Sequence, residues 1–328
     1  MKTRILVIGC GSIGMRHIRN LRHIGDFDLL AFDPAPQRLA NAVREYEVQP
    51  FESIESGLGH SPDAVLVCTP PNLHVEQAAM SVDAGAHVFV EKPLANSLHG
   101  LDGLTHAAAT NDLVLMVGYN LRFNAGLMRA KQLIDEGRIG RVLTMRCEFG
   151  QYLPDWRPSI DYRTSYTANA SAGGGIILDS SHDIDYMRWF GGEVSGVSCM
   201  AGKLSDLEMD AEDTAEITMR MSSGTLAHIH MDCTQRAFSR TCKVVGTEGT
   251  LRWDIHKGLE RYDIAGREWV HEAPPVDPAE AYITEMRCFL SCLQGDSVPP
   301  VDGPTGKRVL ELALTAIEAN RECREMPV

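Results

Sequence analysis

The sequence predicts an α/β protein of two domains, with a doubly wound parallel sheet first and a large, open, mainly antiparallel sheet second. Up to about residue 119, short β-rich runs alternate with helical stretches, which is typical of a parallel sheet covered by helices. Beyond residue 120, longer strands follow one another with hairpin-like turns between them. We therefore place the domains at 1–119 and 120–328.

The first domain is expected to contain five parallel strands. Ligands of such sheets bind beyond the carboxyl ends of the strands, so motifs that are far apart in the sequence meet in one crevice. The expected strands are 4–9, 28–33, 64–69, 87–91 and 113–118.

The first of these strands leads into a glycine-rich turn, Gly9-Cys10-Gly11-Ser12-Ile13-Gly14. Gly9 allows the tight turn, Gly11 lets the backbone approach a pyrophosphate, and Gly14 lets the next helix pack closely. That helix begins near Ser12 and Ile13 and presents unpaired N–H groups to the phosphates. A strand before, a helix after and an acidic residue about 20 positions on complete a dinucleotide-binding (Rossmann) fingerprint.

The acidic residue is Asp33, at the end of the second expected strand. A carboxylate there accepts hydrogen bonds from the ribose hydroxyls of NAD and repels the extra phosphate of NADP, so we expect NAD. Arg38 is the residue that favours NADP instead, because its guanidinium could reach a 2′-phosphate if the loop folded back. Asn72 is expected to cap the helix after the third strand. Further residues expected at the cofactor are Thr69, Pro70, Asn72, His74, Glu91 and Lys92.

The second domain is expected to begin with a helix over 125–136, closed by Gly137 and Gly140. Residues 151–175, rich in Tyr, Arg, Pro and Gly, predict a long loop, and such ordered loops are usually functional. A final helix over 303–325 could pack on either domain. The strands expected in this domain are 142–148, 215–221, 225–232, 242–246 and 250–254.

Composition excludes several classes of function. A formal charge of −13 without any basic run argues against nucleic acid or an anionic membrane surface as partner. The longest apolar runs are far shorter than the roughly 20 residues of a membrane helix, and the chain starts on an expected strand rather than on a signal peptide. The nine cysteines, without CxxC pairs, indicate buried free thiols in a reducing cytoplasm, and we expect no metal site.

Three further motifs, taken with the glycine-rich turn, closely resemble the glucose-fructose oxidoreductase, inositol dehydrogenase and MocA family. The resemblance covers nearly the whole chain. It implies a Rossmann domain and an α/β domain whose open sheet forms homodimers or homotetramers. It also implies hydride transfer between a nicotinamide and a ring carbon of a sugar, sugar derivative or cyclitol. The motifs are Val90-Glu91-Lys92-Pro93, the segment 118–123 and the segment 173–185.

By this resemblance Lys92, Asp179 and His182 are the catalytic residues. Oxidation of a secondary alcohol requires removal of the hydroxyl proton, for which the His182 imidazole is suited, while Lys92 can donate to the reacting oxygen. Asp179 would orient both and keep His182 basic. Many members space the aspartate and histidine by four residues rather than three, but both spacings share one face of a helix. Asp183 and Asp185 are either rival partners of His182 or helix N-terminal carboxylates.

Two segments are expected on the substrate side, 118–123 and the loop within 151–175. Arginine guanidinium groups bind carboxylates or phosphates and aromatic rings stack on sugars. The arginines and aromatic residues of the loop therefore favour an acidic substrate such as a sugar acid or nucleotide sugar. Alternatively, Arg157 and Arg163 pair with Asp155, Asp161 or a neighbouring subunit, and Arg122 forms an ion pair. The expected substrate residues, besides Asp179 and His182, are Tyr119, Asn120, Arg122, Trp156, Arg157, Tyr162 and Arg163.

These features together predict a cytoplasmic, NAD-dependent sugar or cyclitol dehydrogenase. One alternative is a lyase or glycosidase that holds NAD tightly for a transient internal oxidation and makes no net NADH. The other is a non-catalytic sensor in which dinucleotide binding controls a protein partner. Retention of Lys92, Asp179 and His182 argues against the sensor.

Overall fold

The computed structural model describes residues 2–158 and 160–328 and divides into two units. The first comprises the chain up to Asn120 together with Tyr282–Arg308, and the second comprises Leu121–Ala281 with Val309–Val328. The predicted domains are 1–119 and 120–328. In the structure, residues 282–308 group with the first unit.

The first sheet, within the described residues, has six parallel strands in the order β3-β2-β1-β4-β5-β6. This is the Rossmann order, whose ligand crevice lies where the strand order reverses, at β1 and β4. The predicted parallel sheet is thus confirmed. The strands are β1 (Arg4–Ile8), β2 (Asp28–Phe32), β3 (Gln49–Pro50), β4 (Ala64–Val67), β5 (His87–Glu91) and β6 (Leu115–Gly118).

The central strands of this sheet are apolar throughout because helices cover both faces. Ile5 to Ile8 in β1 and Ala64 to Val67 in β4 are fully buried. The edge strand β3 has two exposed residues and no apolar run, which is why the sequence did not predict it. The helices of this part of the chain are α1 (Ser12–Ile24), α2 (Pro36–Tyr46), α3 (Ile54–Leu58), α4 (His74–Asp83) and α5 (Leu101–Thr110).

Residues 282–308 join the first unit through contacts with β5 and β6. Phe289 meets Phe89 edge to face, with ring centroids 5.5 Å apart, and the Val301 carbonyl accepts a hydrogen bond from the Val117 N–H at 2.9 Å. These residues lie on α10 (Pro278–Leu293) and before α11 (Gly303–Glu322), the predicted final helix. The helix α11 is divided between the two units after Arg308.

The second sheet has nine strands among the described residues, in the order β14-β13-β12-β11-β7-β10-β9-β8-β15. Only the pair β7 and β10 is parallel there, which confirms a mainly antiparallel sheet. The strands are β7 (Val142–Gly150), β8 (Val194–Gly202), β9 (Thr214–Met221), β10 (Leu226–Asp232), β11 (Ser239–Gly246), β12 (Thr250–Asp254), β13 (Gly258–Asp263), β14 (Glu268–Ala273) and β15 (Met326–Pro327).

Helices and short turns complete the second unit. Asn124 caps α6 (Ala125–Asp135), the predicted first helix, by accepting the N–H groups of Gly126 and Leu127. The segment 151–175 is partly helical rather than a plain loop. It contains α7 (Leu153–Trp156) and 3-10 turns at Tyr162–Thr164, Tyr166–Ala168 and Ala170–Ala172, and it is followed by α8 (Ile176–Asp179) and α9 (His182–Gly191).

Two findings bear on the broader expectations from composition. Seven of the nine cysteines are buried free thiols, as predicted, whereas Cys288 is partly exposed and Cys323 is exposed. Among the described helices, none combines the length and the apolar character needed to span a membrane.

Candidate active site

The glycine-rich turn has the geometry that its sequence predicts. Gly9 adopts φ +96°, a left-handed conformation that favours glycine, and a Cβ there would lie 2.8 Å from the Cys68 carbonyl oxygen. A Cβ on Gly14 would overlap the Gly9 carbonyl oxygen. At Gly11, by contrast, no described atom lies within 4 Å of the Cβ position. The turn therefore packs tightly at its two ends and is open in the middle, where a pyrophosphate needs to approach the backbone.

The Asp33 carboxylate is fixed beside this turn. Its Oδ2 accepts the Cys10 N–H at 2.7 Å and its Oδ1 accepts the Ala35 N–H at 2.8 Å. Asp33 is buried. A carboxylate has about four acceptor positions, so capacity remains for ribose hydroxyls. Arg38 is exposed on the first turn of α2. Turn, helix start and carboxylate thus fit a dinucleotide.

Lys92 follows directly on an anchored glutamate. Glu91 Oε1 lies 2.6 Å from His17 Nε2, and Glu91 Oε2 accepts the backbone N–H of Lys92 at 3.2 Å. His17, on α1, is fully buried. The Lys92–Pro93 peptide bond is cis. The backbone N–H of Lys92 is thus bound by one member of a buried pair, His17 and Glu91, which the sequence did not predict. The available signal was a polar residue on the buried face of α1.

His74 connects the segments that follow β4 and β5. Its Nε2 lies 2.7 Å from the Thr69 carbonyl oxygen and its Nδ1 lies 3.0 Å from that of Pro93. Burial lowers the pKa of His74, while its hydrogen bonds with the Thr69 and Pro93 carbonyls act in the opposite direction. The prediction that Asn72 caps α4 is wrong: Asn72 lies inside a 3-10 turn, Pro71–Leu73, and the cap position of α4 has no side-chain hydrogen bond. The turn begins at Pro71, so Asn72 already lies inside it and not at a cap position.

The expected cofactor residues differ in exposure. Asp33, His74 and Glu91 are buried, and the others offer exposed or half-exposed surface. The latter are Ser12, Ile13, Arg38, Thr69, Pro70, Asn72 and Lys92.

In the second unit, Asp179 is held by two hydroxyl groups. Tyr166 Oη donates to Asp179 Oδ1 at 2.7 Å, and Thr167 Oγ1 donates to Asp179 Oδ2 at 2.6 Å. Asp179 ends α8 and His182 begins α9, and both are buried. The two residues do not lie on one continuous helix, contrary to the expectation from their spacing, because a turn at Ser180 and Ser181 separates α8 from α9.

The triple glycine before α8 allows this arrangement. A Cβ on Gly174 would overlap the Tyr166 carbonyl oxygen, and one on Gly175, which has φ +98°, would overlap the Glu212 carboxylate. The Ile177 N–H donates to Glu212 Oε1 at 3.1 Å, and burial raises the pKa of Glu212. The segment that carries Tyr166 can thus lie directly against the start of α8.

Asp183 has structural partners. It is fully buried and accepts hydrogen bonds from Tyr186 Oη at 2.6 Å and Arg240 Nη2 at 2.9 Å. Ser180 Oγ is a third donor, at 3.3 Å. These contacts favour the structural reading of Asp183 over the catalytic one.

Asp185 likewise forms a buried ion pair. Its two carboxylate oxygens accept hydrogen bonds from Arg122 Nε at 2.6 Å and Nη2 at 2.8 Å. The guanidinium also lies 4.7 Å from the centre of the Trp189 ring. Arg122 therefore forms an ion pair with Asp185 within the second unit, and its expected role in lining the cleft stays a prediction.

In the loop that is expected to contact substrate, one arginine, Arg163, forms exposed ion pairs. Arg163 donates to Asp161 at 2.7 Å and to Glu208 at 3.2 Å, so the pairing with Asp161 that was considered for it is present. Tyr162 Oη accepts the Glu208 N–H at 3.0 Å. Arg157 and Trp156 are partly exposed, and the Trp156 Nε1 donates to the Gln151 carbonyl. Tyr119 and Asn120 are buried.

These features define a class of protein: a dinucleotide-binding oxidoreductase with a Rossmann unit and a second α/β unit. Models of two domains match the chain, "Oxidoreductase family, NAD-binding Rossmann fold" over residues 3–119 and "GFO/IDH/MocA C-terminal domain" over 127–252. The chain belongs to the GFO/IDH/MocA oxidoreductase family, as its motifs indicated.

Individual relatives match over most of the chain. A 1,5-anhydro-D-fructose reductase of Ensifer adhaerens is 32% identical, over 78% of this chain and 77% of its own. A myo-inositol 2-dehydrogenase of Thermotoga maritima is 29% identical over 98% of both chains. Among solved structures, the WlbA dehydrogenase of Bordetella pertussis in complex with NADH and UDP-GlcNAcA has a TM-score of 0.85 and 26% identity, covering 100% of this chain and 99% of that one.

Proposed function

We propose that this oxidoreductase transfers a hydride between NAD and a secondary alcohol of a sugar, sugar acid, nucleotide sugar or cyclitol. The observation that carries the proposal is the family match over both domains, with a lysine, an aspartate and a histidine at the positions that the family motifs predict. The named relatives act on an inositol and on an anhydro-sugar, which supports this substrate class.

The cofactor is proposed to be NAD rather than NADP. The Asp33 carboxylate is already fixed by two backbone N–H groups at the end of β2, and it would repel a 2′-phosphate. We propose that the open backbone at Gly11 and the start of α1 at Ser12 bind the pyrophosphate. When bound, the dinucleotide supplies the hydride acceptor or donor.

Three side chains are proposed to act on the substrate alcohol. His182 removes the hydroxyl proton as general base, because an imidazole titrates near neutral pH. Lys92 donates a hydrogen bond to the reacting oxygen and so stabilises the negative charge that develops there. Asp179 orients these two side chains and keeps His182 basic. The buried pair of His17 and Glu91 sets the backbone on which Lys92 is placed.

An acidic substituent on the substrate is the finer part of this proposal. The WlbA structure contains UDP-GlcNAcA, which supports an acidic nucleotide sugar as substrate. Arg163 already pairs with Asp161 and Glu208. Arg157 is therefore the better candidate of the two loop arginines for binding an acidic group.

The assembly and location are also proposals. We propose a homodimer or homotetramer formed through the nine-stranded sheet, in the cytoplasm. One face of this sheet carries half-exposed or exposed polar side chains, which gives a broad surface for a second copy. They include Glu216, Thr218, His228, His230, Thr241 and Lys243.

The test is turnover with a panel of cyclitols, sugars, sugar acids and nucleotide sugars, offered with NAD and separately with NADP. Formation of reduced cofactor is followed by absorbance in wild-type protein and in Lys92→Ala. Lys257→Ala is the matched control, because that lysine side chain is 79% exposed. We expect turnover with NAD in the wild type and in the control, and a loss of at least roughly a hundredfold in Lys92→Ala.

Other outcomes would overturn the proposal. Bound NAD in the purified protein, with a converted substrate but no net reduced cofactor, would indicate the lyase or glycosidase with an internal redox cycle. Dinucleotide binding without turnover of any compound, unchanged by Lys92→Ala, would indicate the sensor. Faster turnover with NADP would show that Arg38, rather than Asp33, decides the cofactor.

A further inference from the structure

The Asp179 carboxylate has a separate hydroxyl donor on each of its oxygens. Tyr166 Oη and Thr167 Oγ1 approach Oδ1 and Oδ2 at 2.7 and 2.6 Å. Asp179 is 5% exposed and Thr167 is fully buried, while Tyr166 is half-buried. Two donors on opposite oxygens fix the plane of a carboxylate, because rotation about the Cβ–Cγ bond would break both hydrogen bonds.

The same two contacts also bear on the charge of Asp179. Burial alone favours the neutral carboxylic acid, whereas hydrogen bonds donated to both oxygens favour the carboxylate. Hydroxyl donors at these distances are in the range of charge-assisted O–H···O⁻ bonds. If Asp179 were protonated, one of its oxygens would carry a hydrogen and would be a poorer acceptor for the Tyr166 or Thr167 hydroxyl. The geometry therefore matches an ionised Asp179.

The backbone conformation around Tyr166 places both hydroxyl groups next to Asp179. The two residues begin the 3-10 turn Tyr166–Ala168, and the Gly175 N–H donates to the Thr167 carbonyl at 3.0 Å. Gly174 passes so close to the Tyr166 carbonyl that a side chain there would overlap it. The absence of a side chain at Gly174 thus allows this turn to pack directly against the helix that ends at Asp179.

We propose that Tyr166 and Thr167 are positioning residues that keep Asp179 ionised and correctly oriented for the reaction. The inference rests on the proposed function, in which Asp179 keeps His182 basic. Neither residue is a catalytic residue in this scheme, since both act through Asp179. A fixed negative charge there stabilises the protonated imidazole that forms when His182 accepts the substrate proton.

The test removes one hydroxyl at a time. Tyr166→Phe and Thr167→Val delete a hydroxyl with little change of shape, and Thr167→Ser retains the hydroxyl. Thr164→Val is the matched control, because Thr164 lies on the same segment but donates to the Asp161 carbonyl instead. Thermal unfolding midpoints and NAD affinity are measured for each variant, and we expect both to stay close to the wild type in Tyr166→Phe and Thr167→Ser.

The kinetic readout uses a substrate found in the panel, over a range of pH. We expect kcat to fall roughly tenfold in Tyr166→Phe and in Thr167→Val, the lower end of the effects seen when outer hydrogen-bond partners of a site are removed. The loss of kcat should grow as pH falls, because an Asp179 carboxylate that lacks one hydrogen-bond donor becomes protonated at a higher pH than in the wild type. We expect KM to change little, and Thr167→Ser and Thr164→Val to stay within about threefold of the wild type.

A readout independent of activity separates this inference from the proposed function. The Asp179 carboxyl carbon is followed by NMR in protein with ¹³C-labelled aspartate, with Asp179→Asn for assignment. We expect the pKa of Asp179 to rise in Tyr166→Phe and in Thr167→Val, and to stay unchanged in Thr164→Val. Equal titration in all variants, or kcat within twofold of the control, would overturn the inference. Absence of any turnover in the wild type would instead count against the proposed function, while the NMR result would still decide the role of the two hydroxyls.

Discussion

The two units build their candidate sites in different ways. In the first, the cofactor-binding features are mainly backbone geometry within one short motif: a left-handed Gly9, an open Gly11 and an overlap at Gly14. In the second, the features are side chains brought from separate segments, as when Tyr166 reaches Asp179 or Arg240 reaches Asp183. A site formed by backbone groups can be recognised from a few consecutive residues. A site formed by side chains from separate segments depends on how the whole unit packs.

If the second unit depends on long-range side-chain pairs, breaking one should have the largest effect on stability. Asp185→Asn removes the charge that Arg122 faces in a buried, two-bond ion pair. We expect a loss of about 3–5 kcal/mol, because one buried charge is left without its partner. The measurement is urea unfolding followed by fluorescence.

The double variant Arg122→Met with Asp185→Leu is the control for this prediction, since it removes both charges together. We expect it to recover much of the lost stability. A single variant as stable as the wild type would mean that the pair does not hold the second unit together.

The glycines of the first unit allow a matched pair of substitutions. Gly14→Ala creates an overlap with the Gly9 carbonyl and should destabilise the protein by about 3 kcal/mol or more. Gly11→Ala meets no described atom within 4 Å, so its thermal midpoint should stay unchanged while NAD affinity falls at least roughly tenfold. Calorimetry with and without NAD measures both. Retained NAD affinity in Gly11→Ala would show that the pyrophosphate binds elsewhere.

A buried carboxyl in the first unit contrasts with Asp179. Glu285, on α10, is fully buried, and neither of its oxygens has a hydrogen-bond partner among the described residues. Burial, and then the nearby Glu91, raise the pKa of Glu285 well above its usual value. Cys68 and Cys288 also face it, as neutral thiols whose pKa values burial raises. We therefore expect Glu285 to carry a proton at neutral pH.

The stability contributed by this proton depends on pH. A carboxyl whose pKa is raised in the folded protein contributes stability below its unfolded pKa of about 4.3, and this contribution is lost as pH rises toward the folded pKa. Glu285→Gln, a neutral mimic, should match the wild type near pH 5 and exceed it at alkaline pH by at least about 1 kcal/mol. Glu280→Gln, exposed on the same helix, is the control. A parallel pH dependence in both variants would contradict a protonated Glu285.

The smallest effect is expected at Arg163. Its ion pairs with Asp161 and Glu208 are exposed, and such pairs contribute little. Arg163→Ala should change stability by less than about 0.5 kcal/mol. If the substrate is acidic, KM should rise less than about threefold, because this guanidinium is already engaged by two carboxylates. A tenfold rise would place the acidic group of the substrate on Arg163 after all.

The same contrast explains how much the sequence predicted. The alternation of strands and helices in the first unit, the tight packing at Gly9 and Gly14 and the second sheet's antiparallel character all follow from local patterns. The capping role of Asn72 failed because Pro71 starts a 3-10 turn that the sequence does not distinguish from a cap. The strand β3 was missed because two exposed edge residues carry no pattern.

The remaining features required tertiary structure. Nothing in Tyr166 or Thr167 identifies them as partners of Asp179, since a hydroxyl next to a glycine-rich segment has many possible contacts. The partnership of His17 with Glu91 joins residues 74 positions apart. Tyr282–Arg308 returns to the first unit through Phe289 and Val301, apolar residues that would fit any core.

The return of 282–308 to the first unit has a consequence for synthesis on the ribosome. The residues that complete the core against Phe89 and Val117 are translated only after the whole of Leu121–Ala281. Part of the apolar surface of the nascent Rossmann unit therefore stays uncovered until residues 282–308 have been translated. A gene fragment that stops at the end of β6 would leave that surface exposed permanently, so any excised cofactor-binding fragment needs this late segment grafted on.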